Sequence, residues 1–355
     1  MPRDCALGIA IGARRLVAAL VSAENVEDHV ADGVSFDGGT PDDVVNETRR
    51  LVERLGRDLD SGEGPPRIVA TGAAVPGQVH DDVVVFGPNL AAWAKAWTDV
   101  PFVRILEQAF GARAMLENDV NAMLLHEQEL GLGRGHDSFV VVYLAPGMTG
   151  LGSGIAIDGT LLRGCAGGAG EFGHLVAQPG GPKCVCGNRG CLEAMVSIDT
   201  ILRNVNWGDR NVARNLAEAA VRVDQSDARA QEAFRQAGRW FGQGLSALVN
   251  LVNPPLVVIG GPEEVVGPLP KRGQGFRRQA RTTPRRSAQL FREGYNETLH
   301  AYSFAELHGY CEIKIGSLSV EKAAVGVALL AMRAPEPGKP ESQPGEAARG
   351  ALTTA

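Results

Sequence analysis

Three of the chain's six cysteines fall within eight positions of one loop, "EFGHLVAQPGGPKCVCGNRGCLE", residues 171–193. The spacing is Cys184-x-Cys186-x4-Cys191, with His174 ten residues ahead of the first thiol. Three thiolates and one imidazole complete a tetrahedral shell for zinc and leave no position for a reactive water, so the pattern reads as a structural metal site spanning 174–191. Gly180, Gly181, Gly187 and Gly190 let so short a loop turn its sulfurs inward. The competing reading is three redox-active or core thiols beside an unrelated histidine, but such thiols seldom cluster among Gly and Pro. Glu171, His174 and Glu193 flank the knot. Two carboxylates and an imidazole can exchange hydrogen bonds with vicinal hydroxyls, which makes a polyol the ligand class this loop suits.

The chain has 355 residues, beyond the ~250–300 at which single cores stop growing, and predicts two lobes. A net charge of −6 lacks the basic field that nucleic acid or an anionic membrane attracts, so a small molecule is the expected partner. No apolar run approaches the ~18–20 residues of a membrane span, and the start lacks a signal-peptide core. The expected location is cytoplasmic, where clustered thiols hold metal more often than they form disulfides. Cys5, Cys165 and Cys311 read as scattered core residues.

Along the chain, "ALGIAIGARRLVAALVSAEN" reads as a hairpin with Gly8 and Gly12 near its bend. A helix over 41–57 follows, then the strand "RIVATGAAV" running into a Pro-Gly turn, then a helix stopped by Gly111. Glu117, Asn118 and Asp119 stand at a strand-to-helix junction. "SFVVVYLAPGMTGLGSGIAIDGTLL" is a second glycine-turned hairpin, so the two halves are expected to share one α/β architecture. Helices near 210–250, the buried strand "LVVIGG" and a last helix at 320–332 follow. Residues 333–355, rich in Pro, Gly and charge, read as a disordered tail. The basic segment 271–292 reads as a solvated insertion.

"GEFGH" followed by "CVCGNRGCLE" resembles the signature of the ROK family of sugar kinases and sugar-responsive repressors. "ATGAAVPGQV", "FGPNLAAW", "LENDVNAMLLHE" and "NLVNPPLVVIGGP" extend the resemblance over most of residues 6–332. It implies an α/β, two-lobed actin-like (ribonuclease H-like) ATPase fold carrying the zinc loop. The lobes are then residues 1–117, with the last helix packing back on them, and 118–319. It also implies Asp119 as general base, with Asn89, Asn118, Glu171, His174 and Glu193 as hydroxyl ligands. ATP with Mg would meet Gly12, Arg14, Thr149, Gly150, Gly152, Gly260 and Gly261, and homo-oligomers are expected.

The sequence departs from that pattern at the first phosphate turn. Family kinases open with Asp-x-Gly-Gly-Thr; here Ala10, Gly12, Ala13 and Arg14 occupy those places. A lost carboxylate removes a contact to hydrated magnesium, while Arg14 and Arg15 could meet phosphate oxygens directly. Two functions therefore stand side by side. One is ATP-dependent phosphorylation of a hexose, aminosugar or cyclitol. The other is a non-catalytic sugar sensor related to the repressors, against which stands the expectation that about six residues before the first strand leave no place for a winged helix-turn-helix.

Overall fold

The structure is a computed structural model, and it describes residues 3–12, 14–58, 65–80, 82–86, 97–145, 150–208, 213–267 and 285–333. Asn89, Ala13, Thr149, residues 271–284 of the basic segment and nearly all of the expected tail lie outside the described residues.

Two five-stranded sheets carry the fold. The first is built from β1 (Asp4–Gly12), β2 (Arg15–Ser22), β3 (His29–Ser35), β4 (Arg67–Val75) and β7 (Arg113–Asn118), in the order β3-β2-β1-β4-β7. The second has β8 (Phe139–Leu144), β9 (Leu151–Ile157), β10 (Thr160–Leu161), β11 (Leu256–Gly260) and β12 (Glu312–Ile315), in the order β10-β9-β8-β11-β12. In each, an antiparallel three-strand run is joined to two parallel strands. The second sheet thus repeats the topology of the first, the shared architecture that the two hairpins predict. A small hairpin, β5 (Gln78–His80) with β6 (Val83–Phe86), branches from the first half.

The central strands β1 and β8 are apolar and buried almost throughout, because helices cover both faces of each sheet. Between the sheets lie α3 (Asp119–Leu130) and α10 (Val320–Arg333), whose side chains share one core with Val17, Ala19, Val141 and Val258. Outside the first sheet, α1 (Pro41–Asp58) and α2 (Phe102–Phe110) bury Val44, Leu51 and Phe102 against Leu7 and Ile9. Outside the second pack α4 (Leu192–Val196), α5 (Ile198–Asn206), α6 (Leu216–Asp224), α7 (Ala228–Val252), α8 (Glu263–Val266) and α9 (Arg286–Tyr302).

Three expectations need correction. Gly8 is not at the hairpin bend but in mid-strand, where a Cβ would lie 1.8 Å from the Ala324 carbonyl oxygen; it is small because α10 lies directly on β1. Residues 286–292 are not part of a solvated insertion: they begin α9, which buries Leu290 and Phe291 against α7. Cys165 is exposed rather than core, whereas Cys5 is buried and Cys311 partly so. The strand β3 went unread because its residues are only half-buried at a sheet edge and show little apolar signal.

Candidate functional site

A cleft of about 900 Å³ opens where the carboxyl ends of β1, β4, β7 and β8 face the start of β9 and the first turn of α10. Strand ends are where open α/β sheets place ligands, since the loops that leave them splay apart there.

At the junction of β7 and α3, Asn118 takes the N-cap: its Oδ1 accepts from the backbone N–H of Val120 at 2.9 Å and of Asn121 at 3.2 Å. Its Nδ2 donates to the Gly77 carbonyl at 3.1 Å, tying the junction to the Pro-Gly turn. Asp119 is the first helical residue and lines the cleft. Enclosure by the cleft walls pushes its carboxyl up to about 7; the Val120 N–H opposes the shift and the Glu171 carboxylate adds to it.

Across the cleft stand Glu171, His174 and Glu193. A single 3-10 turn, Phe172–His174, points the imidazole two ways: Nε2 lies 3.7 Å from Glu171 Oε2 and Nδ1 lies 3.6 Å from Cys184 Sγ. Glu193, 2% exposed, accepts from the Leu151 N–H at 3.1 Å and lies 3.6 Å from Cys184 Sγ.

His174, Cys184, Cys186 and Cys191 offer four ligand atoms all within 4.8 Å of one another. Cys186 Sγ and Cys191 Sγ are 3.7 Å apart. Zinc–sulfur bonds of about 2.3 Å in a tetrahedron set sulfur–sulfur edges of about 3.8 Å and sulfur–nitrogen edges of about 3.5 Å, so the donor set fits such an ion. A turn closed by Gly187 N–H on the Cys184 carbonyl at 3.1 Å, with Gly187 at φ 96°, folds the sulfurs together. Burial pushes the Cys184 and Cys191 thiols up.

At the opposite end the cleft is lined by Gly12, Arg14, Gly150, Gly152 and Gly261. Arg15 Nη2 pairs with Glu321 Oε1 of α10 at 2.9 Å, and both line this end. Gly260 does not reach the cleft; it packs on Leu318, whose Cβ would lie 2.5 Å from an added methyl. The structure therefore brings together every described residue expected in the site except Gly260. Sequence reasoning missed Gln78, Tyr143, Asn188 and Glu321 as site residues, all on the cleft wall; Gln78 and Asn188 sit inside stretches that carry the family resemblance, whereas Tyr143 and Glu321 are delivered by the fold alone.

The family model that matches residues 6–272 is described as the ROK family. The chain belongs to the ROK family. Among ROK relatives, the glucokinase of Thermotoga maritima is 32% identical over 277 residues, 74% of this chain and 83% of that protein. The xylose repressor of Bacillus subtilis is 30% identical over 202 residues, 56% of this chain and 49% of that protein. The ROK family glucokinase of Streptomyces griseus, solved in complex with glucose and AMPPNP, superposes with a TM-score of 0.68 at 25% identity, covering 93% of this chain and 100% of that one. The mixed α/β sheets thus match those of ROK sugar kinases. No helix of the described residues is long and apolar enough to cross a membrane.

Proposed function

We infer that this ROK protein transfers a phosphoryl group from ATP to a hydroxyl of a hexose, aminosugar or sugar-like cyclitol. The observation that carries the reading is Asp119: relieved of capping by Asn118, set in the cleft, and poised at about 7, it suits a general base at neutral pH.

The sugar lies against Asn118, Glu171, His174 and Glu193; Asn89, which the family resemblance adds to this set, lies outside the described residues. With Nδ1 turned to Cys184, Cys186 and Cys191, the set that would hold zinc, His174 Nε2 carries the ring proton and donates to a vicinal hydroxyl, while the two glutamate carboxylates accept from hydroxyls. The ion supplies rigidity: it fixes the imidazole ring and the loop, and takes no part in proton transfer. Asp119 accepts the proton of the attacking hydroxyl as the cleft excludes water.

Phosphates meet the other end, at Gly12, Arg14, Gly150, Gly152 and Gly261, with Thr149 expected beside them from the sequence alone. Ala10 places no carboxylate there, and the one on α10, Glu321, faces Arg15. Magnesium would then take its oxygens from phosphate and water, and the arginines would share the neutralisation of charge. We read the protein as a cytoplasmic homo-oligomer whose lobes, 1–117 with α10 and 118–319, close on the sugar.

Ala10 and the kinship with repressors favour one second reading, a sensor that binds sugar without phosphorylating it. The deciding assay is purified protein with ATP, magnesium and a panel of hexoses, aminosugars and cyclitols. ADP release coupled to one sugar supports the kinase; sugar-dependent thermal stabilisation without ADP release supports the sensor.

A further inference from the structure

Behind the cleft, Glu117 is buried, 4% exposed, in the position just before Asn118 and Asp119. Its Oε1 accepts from the Asn118 backbone N–H at 2.9 Å and from Asn121 Nδ2 at 2.9 Å; its Oε2 accepts from Arg163 Nε at 2.8 Å. Arg163 comes from the other half of the molecule, in the segment that leaves β10 and ends at Glu171 and His174. That segment touches the first half twice more. Gln78 Nε2 donates to the Ala166 carbonyl at 2.8 Å. Gly167, at φ 70°, lies so close to β5 that a Cβ would stand 1.8 Å from the Val79 carbonyl oxygen. Its far end is fastened to β9, where Ser153 Oγ donates to the Gly170 carbonyl at 2.9 Å. Neither Glu117 nor Arg163 lines the cleft.

We propose that Arg163 is a positioning residue: through Glu117 it fixes the Asn118–Asp119 junction against the strap that carries Glu171 and His174. The base follows directly on β7 of the first sheet, whereas Glu171 and His174 follow β10 of the second, so some contact must set their relative placement. A charge-assisted hydrogen bond to a buried carboxylate does so more stiffly than the backbone contacts beside it. Removing the guanidinium leaves Glu117 buried without this cation, and its Oε1 hold on Asn118 and Asn121 loosens with it. Misplacement of a reacting group by about 1 Å costs about 10²-fold in rate. Arg163 itself is 45% exposed, so its truncation opens no core.

The proposal rests on the kinase reading for its kinetic test and has a second test that does not. In Arg163→Ala, kcat should fall roughly 10- to 100-fold while the sugar KM stays within about threefold. Zinc content should hold, and the protein should stay folded at the assay temperature although its melting temperature falls somewhat. Arg163→Lys should recover part of the rate, and Arg163→Ala combined with Glu117→Gln should cost no more than the worse single change, because both break one contact. An unchanged kcat, additive losses, or a fall in kcat that tracks loss of zinc and of folded protein would overturn it. If the wild type phosphorylates no sugar, the kinase reading fails alone, and amide hydrogen exchange of the ligand-free protein decides. Arg163→Ala should then speed exchange at 118–121 as well as at 163–170. Faster exchange confined to 163–170 would sink the proposal.

Discussion

Asn118 caps α3 and frees its neighbour Asp119, whose Oδ1 merely shares the Val120 N–H at 3.0 Å while the carboxylate faces the cleft. Of two adjacent polar residues at a strand-to-helix junction, one thus caps the helix and the other is left facing the cleft. The Asp119→Asn variant should keep the cap, the fold and broadly the sugar affinity, and lose turnover by ~10²-fold or more. Parallel titration calorimetry and steady-state kinetics check this; equal loss of binding and turnover would make Asp119 a structural residue.

The same carboxyl fixes a pH dependence. As a base Asp119 works ionised, so kcat/KM should rise with pH and level off above about 7. Stability runs the other way. Its folded pKa lies above the unfolded value near 3.8, so the contribution is fully present below that value and lost as pH rises through about 7. Melting curves of wild type and Asp119→Asn from pH 5 to 8 should show the variant gaining relative stability as pH rises. Parallel curves would contradict the environment assigned to this group.

For the metal, the spacing of sulfurs and imidazole nitrogen predicts close to one zinc per chain, bound at a site whose loss loosens the hydroxyl-binding wall. Cys186→Ser should release the ion and lower the melting temperature, with chelation of the wild type giving the same shift. Because Glu193 reaches Cys184 and also holds the Leu151 N–H, the loss should weaken sugar binding as well. Elemental analysis that finds no zinc in protein purified without chelator would remove the ion from the account.

Much of this was legible in the sequence because the chemistry there is local. The cysteine loop, the Asn118–Asp119 junction and the glycines at 150 and 152 each lie in one short stretch. What sequence reasoning could not reach is assembled from distance. Glu321 meets Arg15 across three hundred residues of chain, and Gly8 looks like a turn until α10 is laid upon it. The early part of α9 shows the same limit: Arg285, Arg286 and Arg292 read as a solvated run, but α7 supplies the apolar surface that Leu290 and Phe291 need. Edge strand β3 failed for the opposite reason, since half-burial leaves no alternation to read.

The contact that holds the two sandwiched helices together makes a last prediction. Lys322 Nζ of α10 lies 2.5 Å from Glu127 Oε1 of α3, and Glu127 Oε2 also accepts from the Leu132 N–H at 2.8 Å. Burial alone would push the Glu127 carboxyl up; the neighbouring His126 and the Lys322 ammonium outweigh it and hold it at about 2. With the folded pKa depressed, the stabilisation is present above the ordinary glutamate value and is lost as pH falls through about 2. Lys322→Met leaves that carboxylate buried, 1% exposed, without its ammonium, a change that typically costs about 3–5 kcal/mol. Denaturant titration at pH 7 should show a loss of that order, and the acid unfolding midpoint should move to higher pH. Because Glu321 precedes Lys322 at the start of α10, the loosened helix should also release Arg15, so weaker nucleotide binding is expected to accompany the loss. A variant as stable as wild type would show that α3 and α10 are held by their apolar faces alone.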